Sequence, residues 1–155
     1  MHQDEPAPGG GVYRLAFSPV MNNRGDIVFL GDLTPSPGAF QTTAVYLHSE
    51  GVTIPVARPG DPVPGGGTFV TASNIFGNQV HVNDRREVTF NAVLDTDVNG
   101  DGRRDSGQFV WSDGSLRLVA RTGTVIPGVG TVDRVTVAQI VFPPSIIPVL
   151  SSRSD

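Results

Sequence analysis

The segment NNRGDIVF at residues 22–29 returns 61 positions later as NDRREVTF at residues 83–90. In both copies an Asn begins a turn, an acidic residue follows four positions later, and a β-branched residue and a Phe start a strand. Asn tolerates the left-handed backbone that tight turns need, and Gly supplies it freely. Two copies of one turn-and-strand segment predict a fold built from a repeated unit.

More identities lie on the C-terminal side of each copy. Val-Ala-Arg occurs at residues 56–58 and again at 119–121. Between the Asn segment and the Val-Ala-Arg segment of each copy, Tyr46-Leu47 aligns with Val110-Trp111 across a small gap. The later matches pair Gly60, Pro64, Gly65, Gly67 and Thr68 with Gly123, Pro127, Gly128, Gly130 and Thr131. The repeat is therefore roughly 60 residues long.

These matches divide the chain into four parts. We predict a flexible lead at 1–10 with nothing to bury, unit 1 at 11–69, unit 2 at 70–132, and a partial third unit or tail at 133–155. The third copy begins at residues 130–132 and departs from the pattern at 141–144.

Each unit contains about four strand-length runs separated by turns. In unit 2 these runs are 79–82, 87–94, 108–112 and 116–121. In unit 1 a strand at 12–17 is interrupted by Ser18-Pro19. Strands joined by short turns pair antiparallel, so we predict an all-β fold of antiparallel meander repeats resembling propeller blades. A β-sandwich or partly open barrel is the alternative, because two units cannot close a propeller.

Composition excludes several classes of protein. The net charge is −4, and phosphate binding needs a basic face, so nucleic acid is not an expected partner. There are no Cys residues, which excludes disulfides and Cys-zinc sites. No apolar run is long enough to span a membrane, and the first residues do not resemble a signal peptide.

The segment DTDVNGDGRRD at residues 95–105 carries four Asp and one Asn. Like charges this close repel unless a cation lies among them, and Ca²⁺ prefers six to eight oxygen ligands from such loops. Gly102 stands where the sharp turn is needed. The predicted calcium ligands are Asp97, Asn99, Asp101, the backbone carbonyl of Arg103, and Asp105. A frame that begins at Asp95 is also open.

The flanking runs are strand-like and Gln108 replaces the bidentate Glu, so this is not an EF-hand. The spacing resembles the calcium loops of integrin-type propeller blades and the first half of dockerin loops. The alternative is a metal-free hairpin loop whose charge is eased by Arg103 and Arg104. The matching loop of unit 1, at residues 34–38, has no carboxylate, so the repeat itself does not need the metal.

Residues 22–29 resemble the motif of a bacterial tandem-repeat family named for NxxGxxAF, with Val28 in place of Ala. The copy at residues 83–90 keeps Asn83 and Phe90. Residues 57–65 resemble the segment between that family's repeats. The resemblance covers roughly residues 11–132 and implies an extracellular, surface-anchored repeat protein with no catalytic residues to transfer.

Other short motifs favour structural roles. The tripeptide Arg24-Gly25-Asp26 spells a cell-adhesion motif, but Gly25 is the expected turn residue of the repeat. Residues 65–68 lack the remainder of a phosphate loop and indicate a turn between units. His48 and His81 lack acidic neighbours at site-forming spacing. Tyr46 and Trp111 have the pattern of core aromatics; stacking on sugars is the alternative.

Together these observations predict a non-catalytic, calcium-stabilised extracellular repeat domain that serves as a scaffold or as a binding module for a glycan or protein. The alternative is a fragment of a β-propeller hydrolase or lyase that uses a carboxylate or His. Unfinished arrays expose strand edges, so edge-to-edge self-association is also expected.

Overall fold

The first of two sheets contains the N-terminal half of the described chain. The computed structural model describes residues 5–34, 43–72 and 80–135. The first sheet has the antiparallel order β1-β2-β3-β4. Its strands are β1 (Val12–Met21), β2 (Ile27–Thr34), β3 (Thr43–Ser49) and β4 (Val52–Ala57).

The second sheet repeats this order with a divided first strand. Its strands are β5 (Phe69–Thr71), β6 (Val80–Val82), β7 (Val88–Leu94), β8 (Ser106–Ser112) and β9 (Ser115–Arg121). β5 pairs with the Leu94 end of β7 and β6 with the Val88 end, so together they occupy the edge that β1 occupies in the first sheet. A short hairpin of β10 (Val125–Ile126) and β11 (Gly130–Thr131) follows.

An aromatic triad lies on one face of the first sheet. Phe29 and Tyr46, paired across β2 and β3, stack with ring centroids 5.5 Å apart. Tyr13 from β1 meets Tyr46 edge-on at 5.1 Å. Gly31 leaves room for these rings, because a Cβ there would lie 2.8 Å from both Tyr13 and Tyr46.

The second sheet carries a triad with the same geometry. Phe90 and Phe109 stack at 5.6 Å, and Phe69 meets Phe109 edge-on at 5.1 Å. Gly107 makes space for the Phe109 ring, which a Cβ would approach to 2.9 Å. The structural counterpart of Tyr46 is therefore Phe109, one position from the Val110 that sequence alignment assigned.

Most of the hydrophobic core is shared by the two sheets. The face of the first sheet opposite its triad contributes Val28, Leu30, Val45 and Leu47 to this core. The second sheet contributes its triad together with Val88, Ala92, Leu94 and Trp111. The triad side of the first sheet forms a smaller cluster that includes Ala7, Leu33 and Ala44. Burying one face of each sheet against the other supplies the main driving force for folding.

Strand β1 extends further than the sequence predicted. Ser18-Pro19 does not end it at Phe17; the chain forms a bulge there and resumes pairing at Val20. Ser18 has a positive φ of 51°. Pro19 is tolerated because β1 is an edge strand and its missing N–H removes no ladder hydrogen bond.

The prediction of an all-β, antiparallel fold is confirmed for the described residues. The predicted runs of unit 2 agree with β7, β8 and β9 to within two residues. Neither strand order returns to its first strand, so neither sheet is closed. The finer prediction of propeller-like repeats stays a prediction.

Within residues 5–34, 43–72 and 80–135, no helix is long and apolar enough to cross a membrane.

Candidate functional site

The acidic loop at residues 95–105 connects β7 to β8. Its first half is organised by its own backbone: the Asp97 carboxylate accepts hydrogen bonds from Asp101 N at 3.1 Å and Gly102 N at 2.9 Å. Asp101 in turn accepts from Arg103 N at 2.8 Å. These contacts bring Asp97 and Asp101 to one exposed turn, with Asn99 between them in sequence.

Asp105 lies inside the protein, unlike the rest of the predicted ligand set. Its carboxylate accepts from the Thr96 hydroxyl at 2.5 Å and from Val98 N at 3.2 Å. It also pairs with Arg121 at 3.2 Å, where the side chains of Asp105 and Arg121 are 0% and 10% exposed. The local sequence carries no sign of this pair, because Asp105 ends the acidic loop whereas Arg121 ends β9, 16 positions later.

The predicted calcium ligands therefore divide into two groups. Asp97, Asn99, Asp101 and Arg103 are exposed, whereas Asp105 is occupied by Arg121. Among the described residues, no three acidic, His or Cys side chains are grouped so as to hold a metal ion. Asp105 is engaged by Arg121 in this structure, and calcium binding by the predicted ligands stays a prediction.

Asp95 ties the acidic loop to the turn that precedes β5. Its carboxylate accepts from Thr68 N at 2.7 Å and from the Thr68 hydroxyl at 2.8 Å. These two hydrogen bonds hold the pKa of Asp95 below its ordinary value, because they favour the charged form. Asp95 is itself exposed, but its role is structural and differs from that of Asp97 and Asp101.

Two glycine turns, at residues 7–11 and 63–67, have the same hydrogen-bonded form. Ala7 N donates to Gly11 O at 2.9 Å, and Val63 N donates to Gly67 O at 3.0 Å. Ala7 and Val63 are buried. Sequence reasoning missed the first turn, although APGGGVY at 7–13 matches VPGGGTF at 63–69.

Each glycine turn is held by an Arg at the end of the outermost strand of its sheet. Arg58 donates to the carbonyls of Gly9 and Gly10. Arg121 donates to Gly65 O at 3.2 Å and Gly66 O at 3.0 Å. We call these contacts the Arg–glycine clasps. A phosphate loop presents backbone N–H groups to an anion, whereas Gly65 and Gly66 present carbonyl oxygens to a cation. Residues 65–68 therefore serve as a turn.

The Asn turns at residues 22–26 and 83–87 are each capped by their own Asn. Asn22 Oδ1 accepts from Arg24 N and Asp26 N, both at 2.9 Å. Asn83 Oδ1 accepts from Arg85 N at 2.9 Å and Glu87 N at 3.0 Å. This shared hydrogen bonding is the physical reason for Asn at the start of the motif.

The two Asn turns also bind each other. Asn22 Nδ2 donates to Asn83 O at 2.8 Å, and Asn23 donates to the Asp84 carboxylate through its backbone and side-chain nitrogens, each at 2.9 Å. The side-chain amide and backbone N–H of Asn23 hold the pKa of Asp84 below its ordinary value.

Arg86 completes this contact, which we call the Asn-turn joint. Its guanidinium lies 3.2 Å from the Asp26 carboxylate and also pairs with Glu50. Asp26 is 2% exposed and accepts from the Ser49 hydroxyl at 2.5 Å. The Ser49 hydroxyl and the Asn22 amide hold the pKa of Asp26 below its ordinary value, and Arg86 adds to this effect. A buried, fully engaged Asp26 disfavours adhesion through Arg24-Gly25-Asp26.

The remaining candidates lie in structural positions. Tyr46 and Trp111 are buried, so the prediction that they are core aromatics is confirmed and stacking on sugars is wrong for the folded chain. His48 Nδ1 lies 2.9 Å from the Thr53 hydroxyl on the neighbouring strand. His81 is exposed on β6.

Comparison with known proteins gives one result. No curated protein and no solved structure matches the chain. A family profile matches residues 1–146, which is nearly the whole sequence. The chain therefore belongs to DUF7453, a family of unknown function.

Proposed function

We propose that this chain is a non-catalytic repeat domain of the extracellular space or cell surface, serving as a scaffold or as a binding module for a glycan or protein. The observation that carries the proposal is the Asn-turn joint. Its buried carboxylate and its motif asparagines connect one β unit to the next. Polar side chains used in this way specify how units are placed relative to each other.

The likeness of the two units supports the same proposal. The aromatic triads agree in stacking and edge-on distances to within 0.1 Å. Each of the two sheets carries an Arg–glycine clasp. We infer that the units are blade-like repeats, because repeat proteins gain stability from identical neighbour contacts in an array. Such arrays present extended surfaces to a partner.

We further propose that the exposed part of the acidic loop binds Ca²⁺ through Asp97, Asn99, Asp101 and the carbonyl of Arg103. Bound calcium would neutralise the loop and stiffen the β7–β8 connection. In this proposal Asp105 is not a calcium ligand, because it forms the ion pair with Arg121.

The scaffold role is tested by weakening the joint. Asn22→Ala combined with Asp84→Ala removes the hydrogen bonds that Asn22 and Asn23 make across the joint, while the Arg86–Asp26 pair and the apolar core are left in place. We expect amide hydrogen exchange to rise in residues 22–26 and 83–87 of the double variant, and the melting temperature to fall. Asp113→Asn, in the β8–β9 turn, is the matched control and should change neither.

The location is tested on intact cells that express the protein. An antibody to the folded domain should label unpermeabilised cells or detect the protein in the medium. Antibody signal that appears only after lysis would contradict the extracellular location. In the test of the joint, unchanged amide hydrogen exchange in the double variant would contradict the scaffold role.

A further inference from the structure

Asn99-Gly100 is an exposed dipeptide in the acidic loop whose polar groups are free of intramolecular hydrogen bonds in the described structure. Gly100 has a φ of +70°, and a Cβ built on it would meet no atom within 4 Å. We propose that Asn99 is a site of spontaneous deamidation and backbone isomerisation in the folded protein.

The chemistry needs only water. The backbone nitrogen of Gly100 attacks Cγ of Asn99 while its proton passes to the side-chain amide, so that the Cγ–Nδ2 bond breaks and ammonia leaves. The resulting succinimide is opened by water. Cleavage of the Cγ–N bond gives Asp, and cleavage of the bond between the Asn99 main-chain carbonyl and Gly100 N gives isoaspartate. Gly favours the first step because no side chain hinders approach of its nitrogen.

A neighbouring dipeptide in the same loop is protected. Gly102 N, which would attack Asp101, instead donates to Asp97 at 2.9 Å. The Asp101 carboxylate is engaged by Arg103 N at 2.8 Å. Asp97 therefore restrains one of the two Gly-containing pairs and leaves the other open.

The motif asparagines are protected in a different way. Asn22 Oδ1 and Asn83 Oδ1 each accept two backbone hydrogen bonds, and Asn22 Nδ2 donates to Asp26 and to Asn83 O. Forming a succinimide at either residue would break these contacts. Asn22 and Asn83 are therefore disfavoured as sites, and modification of Asn99 leaves their contacts in the Asn-turn joint intact.

Conversion of Asn99 changes the loop in two ways. Both products add one negative charge beside Asp97 and Asp101. The isoaspartyl product also lengthens the backbone by one methylene group between the two parts of the turn. The loop therefore acquires a mixture of forms as the protein ages.

The test is peptide mapping by mass spectrometry, with isoaspartate-specific methylation, after incubation of the full chain at mildly alkaline pH in EDTA. Chelation makes the result independent of the calcium proposal. We expect ammonia loss at Asn99, with both isomeric products, and unchanged Asn22 and Asn83. Asn99 that stays intact in the folded chain, while urea-unfolded chain converts it, would overturn the proposal.

Two variants sharpen the result. Gly100→Ala should slow conversion severalfold, and circular dichroism verifies that this variant folds. Asp97→Ala releases Gly102, so isoaspartate should also begin to accumulate at Asp101. Equal rates at Asn99 in wild type and Gly100→Ala would show that the proposed attack by Gly100 is wrong.

Discussion

Arg121 and Asp105 form the most buried ion pair of the described residues. The guanidinium also donates to the Thr96 hydroxyl at 2.6 Å and to two glycine carbonyls, whereas its Nε is buried without a hydrogen-bond partner. Asp105→Ala would leave this buried cation without its carboxylate. We expect a loss of about 3–5 kcal/mol in the free energy of unfolding, measured by urea denaturation. Asp113→Asn should stay within about 0.5 kcal/mol; an equally small effect at Asp105 would contradict the assigned role.

The hydroxyls of Tyr13 and Tyr46 are buried without a hydrogen-bond partner. The corresponding residues of the second triad, Phe69 and Phe109, have no hydroxyl to bury. Tyr46→Phe should therefore be neutral or stabilise the fold by about 1 kcal/mol, because an unsatisfied polar group is removed. Tyr46→Ala removes the ring as well and should cost about 3–5 kcal/mol. Destabilisation by the Phe variant would show that the hydroxyl has a partner in solution.

At this scale the sequence predicted residue types better than their partners. Asn22 and Gly25 were identified as turn residues from their backbone preferences, and the structure agrees. Asp105 was assigned to a metal because the local spacing fits calcium. Its actual contact with Arg121 depends on a strand 16 positions away, and no local pattern reports such a distance.

Among the structural elements, the Asn-turn joint should make stability depend on acid pH. Asp26 and Asp84 have pKa values lowered from an ordinary 3.8. A carboxyl group whose pKa is lowered by folding stabilises the fold above that ordinary value and loses this contribution as the pH falls through the folded value. The free energy of unfolding should therefore decrease as the pH falls below about 4. Asp84→Asn should flatten the decrease, and an unchanged pH profile would contradict the contribution of the joint.

The acidic loop is an element whose stiffness should respond to calcium. Removing calcium with EDTA should lower the melting temperature, and adding it back should restore the original value. Asp101→Ala should abolish this response. The measurement is a thermal melt followed by circular dichroism, together with elemental analysis of the purified chain. An identical melting temperature with no calcium in the chain would refute the calcium site.

Strands were predicted correctly where the local apolar pattern of the sequence agrees with the strand pairing in the structure. Buried apolar residues recur at every second position of β7, and this period is visible in the sequence at Val88, Phe90, Ala92 and Leu94. The prediction of a flexible lead with nothing to bury at residues 1–10 is wrong for the glycine turn at 7–11, because Ala7 packs into the smaller cluster and Arg58, 49 positions from Gly9, holds the turn. The continuation of β1 past Pro19 was missed because a bulge on an edge strand tolerates proline.

For the whole molecule, the shared core predicts that both sheets unfold together. Phe90 lies in this core and is 1% exposed. Phe90→Ala should cost about 3–5 kcal/mol. Fluorescence of the single Trp, at 111, reports the second sheet and far-UV circular dichroism reports both. Coincident transitions would indicate one cooperative unit; separated transitions would show that the sheets are independent domains. Val119→Ala, at an exposed position, serves as the control.

The Arg–glycine clasps have a consequence for how such a protein grows in evolution. Arg58 reaches back to Gly9 and Gly10, and Arg121 reaches back to Gly65 and Gly66. Each clasp joins the beginning and the end of one stretch of chain, at residues 7–58 and 63–121. A gene segment that encodes one such stretch therefore encodes both the Arg and the glycine turn of its clasp. Tandem duplication therefore yields a copy that closes on itself at once, without waiting for compensating mutations elsewhere.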